Sequence, residues 1–430
     1  MNYIKCRLGD VAEIIMSSID KKSKPHEKMV RLCNFTDVYH NWAITKDKYD
    51  TFMIATANDN AIEKLTLKKG YVAFTKDSET RDDIGIPTYI ADDFDDVVLG
   101  YHCALVKPDE HKLSGEYLNA FMNSDYIKKY FELNATGSGM RFTLAIQTLE
   151  DMPLLLPELS EQKRIAKVLT DIDSKITVNK KINKELEAMA KGLYDYWFVQ
   201  FDFPCANGSP YKSSGGRMEF NPILKREIPE GWDVKSINNF CTSYRGVSYD
   251  KADLLDEPEG GVLVLRGNNI DGNTLVYDDN VAYVPPSFVE PEQKIKKHDI
   301  IMTMSSGSKE HVGKCTMFQS DSEHTYGAFM TKFTPNSNCP FFAYRSMLSD
   351  FFKAKIKYIC GGTGINNLTN QTFDEILFPF PPKNVLESFE NLLTPIYEKV
   401  GKTNDEILNL STLRDELLPM LMNGQVSVKE

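Results

Sequence analysis

The sequence predicts an α/β (α+β) fold in which two similar globular domains stand in tandem and are separated by two long antiparallel coiled-coil helices. Three observations predict this fold. The chain matches itself at an offset of 224 residues, two of its segments carry one heptad pattern, and both halves contain short β-rich runs. The expected result is an internal repeat with pseudo-twofold symmetry.

The internal repeat is clearest around two glycine-rich stretches. "TGSGMRFTLAIQTLEDMPLLLP" at 136–157 resembles "GGTGINNLTNQTFDEILFPFPP" at 361–382. Further matches occur upstream in the same order, with small drifts that loop insertions explain: "VRLCNFTD" at 30–37 with "LRGNNIDG" at 265–272, "LKKGYVAFTKDS" at 67–78 with "IKKHDIIMTMSS" at 295–306, and Gly100 with Gly327. Their shared order indicates a tandem duplication.

The heptad pattern forms a seam of mostly apolar residues, spaced by three and four, in each of two segments. The first seam is Ile165, Leu169, Ile172, Ile176, Asn179, Asn183, Leu186, Leu193 and Trp197. The second seam, which Arg414 interrupts, is Phe389, Leu393, Ile396, Val400, Thr403, Ile407, Leu410, Leu417 and Leu421. Matched seams predict an antiparallel pair of spacer helices, and the alternative is that each seam belongs to the core of a helical domain.

Local signals predict the helix ends. Ser160 is the predicted N-cap of the first helix, which would run to Phe198, and Asn423-Gly424 would end the second. Polar residues within an apolar seam usually fix its register. The candidates for that role are Asn179, Asn183 and Thr403.

The domain boundaries follow from these limits. An amphipathic helix is predicted before each glycine-rich stretch, "GEYLNAFMNSDYIKKYFELN" and "FFAYRSMLSDFFKAKIKYI". The linker is rich in Pro, Gly, Ser and Asn, as expected of a connection. The predicted boundaries are 1–157 for the first globular domain, 158–200 for the first spacer helix, 201–231 for the linker, 232–382 for the second globular domain and 383–425 for the second spacer helix.

Composition excludes several classes of protein. At 430 residues, 42% hydrophobic and 26% charged, the chain should fold into more than one globular core. It has no run of eighteen apolar residues and no apolar stretch at its N-terminus, so we expect no membrane association. The eight cysteines include no CxxC pair, which argues against a zinc site and favours a reducing cytoplasm. The net charge of −11 leaves room for a local basic groove.

Catalytic motifs are missing from both copies of the repeat. The chain contains no GxxxxGK[ST] phosphate loop, no GxSxG elbow and no HExxH pair. "TGSG" and "GGTG" do not follow the strand–GxGxxG–helix order of a dinucleotide site. We therefore predict no catalytic residue, no metal site and no cofactor bound by this chain.

The glycine-rich stretches suit contact with a polyanion, and a plain turn is the alternative. Hydroxyl and amide side chains bond phosphates or base edges, Arg reads guanine and Asn reads adenine. The alignment pairs Arg31 with Arg266 and Asn34 with Asn269. The candidate DNA-binding residues are Arg31, Asn34, Lys76, Ser78, Thr136, Ser138, Arg141 and Thr143 in the first copy, and Arg266, Asn269, Ser305, Ser306, Lys309, Thr363, Asn366 and Asn367 in the second. For each residue alone, a solvated surface position is the alternative.

Several motifs carry a family resemblance: "PELSEQKRIAKVLTDIDSKI", "GLYDYWFVQFDFP", "NGSPYKSSGGRM", "LKREIPEGW" and the C-terminal "LRDELLPMLMNGQV". With the tandem repeat, they make nearly the whole chain resemble the specificity (S) subunits of type I restriction–modification enzymes. The resemblance implies that each globular domain is a target-recognition domain for one half of a split DNA site. It also implies that the helices set the spacing and dock two methyltransferase (M) subunits.

The resemblance assigns the chemistry to other chains. S-adenosylmethionine, ATP and Mg would be bound by the M and restriction (R) subunits. Because the two copies differ at candidate positions, such as Arg141 opposite Ile365, we expect an asymmetric target.

The sequence leaves three alternatives open. A methylation-only system without a cleaving subunit would use the same kind of chain. A self-contained DNA-modifying enzyme would need an NPPY-like tetrapeptide, which neither "NPIL" nor "VPPS" supplies. A protein scaffold with no DNA role would show no salt-sensitive DNA binding in its complex.

Overall fold

The computed structural model describes residues 3–139, 141–255, 260–276, 281–308, 310–360 and 366–428. The chain forms two compact units. The first unit is built from Met1–Val178 and Glu406–Glu430, and the second unit from Asn179–Asp405. Each unit combines β-sheets and short helices with parts of two long helices. The predicted α/β fold is confirmed.

The first unit is a layered α/β structure. Its strands are β1 (Ile4–Arg7), β2 (Ala12–Met16), β3 (Lys28–Cys33), β4 (Ala43–Ile44), β5 (Met53–Ala57), β6 (Val72–Thr75), β7 (Asp77–Ser78), β8 (Pro87–Ile90), β9 (Val97–Leu99), β10 (Cys103–Pro108), β11 (Thr136–Ser138), β12 (Arg141–Thr143) and β13 (Pro153–Leu156). Its short helices are α1 (Phe35–Tyr39), α2 (Asp59–Leu65), α3 (Gly115–Met122), α4 (Asp125–Asn134) and α5 (Ile146–Glu150). The main sheets have the strand orders β2-β10-β6-β8-β4, β5-β3-β9 and β11-β12-β7.

The long helix α6 (Leu159–Tyr194) leads from the first unit into the second. The strands of the second unit are β14 (Met218–Asn221), β15 (Arg226–Pro229), β16 (Asp233–Ser236), β17 (Cys241–Arg245), β18 (Val262–Leu265), β19 (Ile270–Asp271), β20 (Thr274–Leu275), β21 (Tyr283–Val284), β22 (Ile300–Thr303), β23 (Ser305–Ser306), β24 (Cys315–Met317), β25 (Thr325–Tyr326), β26 (Met330–Pro335), β27 (Asn366–Asn367) and β28 (Leu377–Phe380). Its helices are α7 (Ile237–Phe240), α8 (Pro340–Leu348), α9 (Asp350–Ile359) and the start of the long α10 (Lys383–Met422). Its main sheets have the orders β17-β26-β22-β24 and β21-β18-β25.

The second unit repeats the strand pairing of the first. The sheets β5-β3-β9 and β21-β18-β25 each contain a parallel pair, β3 with β9 and β18 with β25. The pair of β16 and β28 repeats the pair of β1 and β13. The pair of β23 and β27 repeats that of β7 and β12 at the predicted register, because Thr143 pairs with Asp77 and Asn367 pairs with Ser305. The predicted tandem duplication is confirmed.

In each unit the two long helices run antiparallel. The first unit contains the start of α6 and the end of α10, where Lys175 Nζ lies 3.3 Å from Glu406 Oε1. The second unit contains the end of α6 and the start of α10, where Asn183 Nδ2 donates to Asn404 Oδ1 at 2.7 Å. None of the predicted seam residues is exposed. Thr403, a candidate for fixing the register, is buried but donates its hydroxyl to Lys399 O of its own helix at 2.7 Å.

The ends of the long helices differ in part from the prediction. Ser160 is not the N-cap, because α6 begins at Leu159 and the carbonyl of Glu158 already accepts the N–H of Gln162 at 3.0 Å. The α-helix ends at Tyr194, and a π-helical turn, Asp195–Val199, continues it. The second helix ends as predicted, since Gly424 follows it with φ +69, a conformation that favours glycine.

Arg414, the predicted interruption of the second seam, has a structural role. Its guanidinium lies 3.8 Å from Asp173 Oδ1 on α6 and 5.6 Å from the ring centroid of Trp42. It therefore connects α10 both to α6 and to the globular part of the first unit.

The predicted amphipathic helix before each glycine-rich stretch is wrong in one respect, because each is two helices. In the first unit α3 ends before Ser124, and in the second unit α8 ends before Ser349. The Ser349 hydroxyl accepts the N–H of Phe352 at 3.2 Å. Ser349 begins α9 because its side chain satisfies a backbone N–H that the first turn leaves free.

The predicted linker, 201–231, is a folded part of the second unit. Strands β14 and β15 form a hairpin, and Asp202 accepts the N–H of Ser213 at 2.7 Å. The segment is folded because Phe201 and Phe203 are buried, and the ring of Phe203 lies 5.2 Å from that of Trp232, just after the segment, in the core. The predicted domain boundaries stay a prediction, since the compact units divide both long helices between them.

A buried carboxylate joins α10 to the start of α8 in the second unit. Glu390 Oε1 accepts the N–H of Phe342 at 2.8 Å, and Oε2 accepts that of Phe341 at 3.0 Å. These N–H groups belong to the first turn of α8, where backbone donors have no partner within the helix. Burial raises the pKa of Glu390 to about 7, although the two N–H groups act in the opposite direction.

None of the helices within the described ranges has both the length and the apolar character that a membrane crossing requires. All eight cysteines are free thiols.

We predict that Glu390→Gln changes the pH dependence of stability. A carboxyl group with a raised pKa binds more protons in the folded state than in the unfolded state. The free energy of unfolding therefore falls as the pH rises from about 4.5 to about 7, by up to about 1.4 kcal/mol for each pH unit. Glutamine keeps one acceptor and has no titrating charge, so the unfolding temperature of the variant relative to the wild type should rise from pH 5 to pH 8.

The measurement is thermal unfolding between pH 5 and pH 8, with Glu398→Gln on the exposed face of α10 as the control. A difference between Glu390→Gln and wild type that stays constant with pH would contradict the prediction.

Candidate nucleic-acid interface

The sheet of β11, β12 and β7 brings together most of the first-copy candidates. Thr136 and Ser138 lie on β11, Arg141 and Thr143 on β12, and Ser78 on β7. The hairpin needs Gly137, since a Cβ there would lie 2.2 Å from the carbonyl oxygen of Arg141. Thr136, Ser138 and Arg141 are exposed, so a small polar surface with one cation is available to a ligand.

Asp77 organises this surface from beneath. Its side chain is only 10% exposed, and its Oδ2 lies 3.1 Å from Lys76 Nζ, 2.9 Å from His102 Nδ1 and 3.8 Å from an Arg141 guanidinium nitrogen. Burial alone would raise the pKa of Asp77, but hydrogen bonds from Thr143, His102 and Lys76 outweigh it and lower the pKa. Because a carboxylate only accepts, His102 donates from Nδ1.

Aromatic residues complete the surface, which we call the first reader surface (residues 76–78, 101–102 and 136–143 without Met140). Lys76 Nζ lies 4.7 Å from the ring centroid of Tyr101, which is 45% exposed. Asp77, Tyr101 and His102 were not among the predicted residues. The sequence could have indicated Asp77, because it lies between the candidates Lys76 and Ser78. Side chains alternate along an extended strand, so Asp77 lies on the face opposite to both neighbours.

The second unit has an equivalent surface with different side chains, which we call the second reader surface (residues 304–306, 328–329 and 366–367). Ser305 and Ser306 on β23 pair with Asn367 and Asn366 on β27. The N–H of Met304 donates to Phe329 O at 2.8 Å, as the N–H of Lys76 donates to His102 O at 2.9 Å. Phe329, which thus stands in the place of His102, is 69% exposed.

Three second-copy candidates fall on parts of the chain for which the structure gives no side-chain description. Lys309 and Thr363 lie outside the described residues, and Asn366 is described only in its backbone. Asn367 is exposed, and Ser305 and Ser306 are half-buried.

The structure corrects the alignment of Arg31 and Asn34 by three residues. The N–H of Gly100 donates to Cys33 O at 2.8 Å, and the N–H of Gly327 donates to Leu265 O at 2.9 Å. Cys33 is therefore equivalent to Leu265, so the residue opposite Arg266 is Asn34, not Arg31. The sequence alignment was shifted because it placed Arg31 opposite Arg266, whereas in the structure the ends of β3 and β18 are equivalent.

The correction is supported by the short helical turns that follow. The N–H of Asn34 donates to Asp37 Oδ2 at 2.7 Å, and the N–H of Arg266 donates to Asn269 Oδ1 at 2.9 Å. Asn269 is thus equivalent to Asp37 and not to Asn34. It is 4% exposed and also donates to Val276 O at 3.1 Å, so its side chain is used inside the domain.

Arg31 is likewise held by its own domain. Its guanidinium donates to Tyr49 O at 3.0 Å, lies 3.4 Å from Asp50 Oδ1 and stacks at 4.0 Å from the ring centroid of Tyr49. Its side chain is 23% exposed. These contacts give Arg31 a structural role in the sheet of β5, β3 and β9.

No group of three or more His, Cys, Asp or Glu side chains with metal-binding geometry occurs in the part of the chain that the structure describes. The first reader surface is suited to hydrogen bonding, stacking and ion pairing, and the second to hydrogen bonding and stacking.

Comparison with known proteins gives one family. The family model described as the type I restriction modification DNA specificity domain matches twice, at residues 2–188 and 229–402. The type I restriction enzyme MjaIX specificity subunit of Methanocaldococcus jannaschii is 24% identical over 90% of this chain and 87% of its own length. The HindI specificity subunit of Haemophilus influenzae is 23% identical over 97% of this chain and 98% of its own length.

A solved structure agrees in fold. The crystal structure of a type I restriction–modification S subunit from M. genitalium matches with a TM-score of 0.54 and covers 98% of this chain and 96% of its own. Its sequence is 14% identical to this one, so the comparison speaks for the fold.

We predict that Asp77→Asn destabilises the first unit. The neutral amide loses the pairing with Lys76, His102 and Arg141, so the free energy of unfolding at pH 7 should fall by about 1–3 kcal/mol. Because the pKa of Asp77 is lowered on folding, its contribution is present above the ordinary value of 3.8 and is lost as the pH falls below it. The deficit of the variant should therefore shrink in acid.

Chemical denaturation at pH 7 and near pH 3 measures this effect, with the exposed Asp82→Asn as the control. Equal stability of Asp77→Asn and Asp82→Asn at pH 7 would show that Asp77 does not organise the surface.

Proposed function

The chain belongs to the family of type I restriction–modification DNA specificity subunits and carries two recognition domains in tandem, and from this premise we propose that each domain reads one half of a split, asymmetric DNA site. The long helices set the spacing between the half-sites and dock two M subunits. The chain itself performs no catalysis. It works in the cytoplasm, where its DNA substrate lies.

One observation carries the proposal: the two reader surfaces have the same backbone plan but different chemistry. The first surface offers His102 and the exposed Arg141 above the buried Lys76–Asp77 pair, whereas the second offers Ser305 and the exposed ring of Phe329 at equivalent places. Hydrogen-bonding and cationic groups favour base edges and phosphates, and an exposed phenyl ring favours the thymine methyl group. Two readers that differ in this way suit two different half-sites.

The outer faces of the long helices support the docking of other subunits. Apolar side chains remain exposed on both helices in this single chain, namely Val178, Met189, Leu392, Leu408, Leu413 and Met420. Burial of exposed apolar side chains is a main driving force of association between protein chains. We assign them to the M subunits.

The partner subunits supply the chemistry and much of the charge. M subunits bind S-adenosylmethionine and carry out methylation, and R subunits use ATP and Mg in the full complex. The net charge of −11 on this chain is compatible with DNA binding when basic partner chains neutralise the phosphates.

The test is methylome sequencing of cells with the gene for this chain, without it, and with the gene restored. We predict one bipartite motif that has two different halves and a spacer of fixed length. The motif should vanish on deletion and return on complementation. A palindromic motif, or a motif that persists without the chain, would contradict the proposal.

A further inference from the structure

We propose that Asn34 and Arg266 are equivalent base-contacting residues, so that the first domain reads adenine and the second reads guanine at corresponding places of their half-sites. This inference rests on the proposed function. It adds the identity of one base pair in each half-site.

The equivalence follows from backbone geometry alone. Each residue directly follows the central strand of a three-stranded sheet, β3 or β18, at the point where that strand pairs in parallel with β9 or β25. Each also precedes a short helical turn whose third residue, Asp37 or Asn269, accepts its backbone N–H. The two side chains therefore leave matching backbones.

Both positions border the reader surfaces. In the first unit, Gly100 bonds to Cys33 O at 2.8 Å and begins the turn that carries Tyr101 and His102. A Cβ at Gly100 would lie 3.2 Å from Asn34 Oδ1, so the amide lies directly against this turn. In the second unit, Gly327 bonds to Leu265 O at 2.9 Å and begins the turn that carries Phe329.

The Arg266 side chain is half-buried directly after β18. Among the residues that the structure describes, it forms no ion pair or side-chain hydrogen bond, and its Nε is buried without a partner. A buried N–H group without a partner costs free energy until a ligand accepts from it. Arg31 contrasts with it, because Tyr49 and Asp50 already occupy its guanidinium.

The Asn34 amide is also free for a stronger partner. Its Nδ2 makes only long contacts, 3.4 Å to Leu32 O and 3.7 Å to Met53 Sδ. A normal N–H···O bond is about 2.9 Å long, so these contacts are weak. A base could replace them at little cost.

The chemistry of the two side chains determines the bases. A carboxamide can donate to N7 and accept from N6 of adenine in the major groove, and a guanidinium can donate to both O6 and N7 of guanine. Equivalent positions with these two groups would therefore distinguish A·T in one half-site from G·C in the other.

The first experiment uses the wild-type complex of this chain with its M subunits and needs no variant. After the motif is known, each adenine or guanine of the half-sites is replaced in turn by its 7-deaza analogue, and binding is measured. One adenine in one half-site and one guanine in the other should each lose about tenfold or more in affinity, because the N7 acceptor is gone. The inference would be overturned by a motif that does not specify an A·T pair in one half-site together with a G·C pair in the other.

The second experiment assigns these bases to the residues. In the Arg266→Ala complex, the guanine that was sensitive to 7-deaza substitution should become insensitive, and discrimination at that position should fall by about tenfold to a hundredfold. Asn34→Ala should do the same for the adenine of the other half-site. Each variant has an internal control, since the half-site read by the unchanged domain must keep its preference, which shows that the chain is folded and assembled.

Arg31→Lys is the control. Arg31 lies three residues before Asn34, and its guanidinium is already bound within its own domain. The control variant should leave the specified bases unchanged. The inference would be overturned if variants of Asn34 and Arg266 kept every base preference, or if Arg31→Lys changed a base preference. Either result would leave the proposed function intact. A motif that does not depend on the chain at all would instead refute the proposed function.

Discussion

Each recognition unit depends on the burial of two helices that are distant in the sequence. In the second unit, Phe389 of α10 packs with Trp197 and Phe198 from the π-helical turn that follows α6, at ring-centroid distances of 5.5 and 4.7 Å. In the first unit, Leu169 of α6 and Leu421 of α10 lie in one core. Neither helix could keep these residues out of water alone, so the pairing of the helices is a condition for the fold of both units.

Polar contacts make that pairing specific. In the second unit, Arg345 of α8 is 4% exposed and lies 2.8 Å from Glu187 of α6, and it also bonds to the Tyr397 hydroxyl of α10. Burial raises the pKa of Glu187, and Arg345 only partly offsets this effect. A buried pair of this kind adds little net stability, but an incorrect register would leave one charge unpaired at a cost of about 3–5 kcal/mol. In the first unit, Arg414 connects the helices and the globular part in a similar way.

Much of this organisation could be predicted from the sequence, because burial leaves a periodic trace. The seams of α6 and α10 are visible as heptads, and the offset of 224 residues correctly placed Asn367 opposite Thr143. The errors have a different origin. Three predictions were wrong: the N-cap at Ser160, the single helix before each glycine-rich stretch and the alignment of Arg31 with Arg266. These features depend on individual hydrogen bonds, which produce no periodic pattern in the sequence. The pairing of Asp77 with His102 joins residues that are far apart in the chain, so no local pattern could predict it.

The fold of both units requires the antiparallel alignment of α6 and α10. Native side chains allow a direct test of that alignment. Zero-length coupling of amines to carboxylates, followed by mass spectrometry, should join Lys175 to Glu406, whose charged atoms lie 3.3 Å apart. Coupling of Lys175 to Glu387, near the start of α10, in place of Glu406 would contradict the alignment.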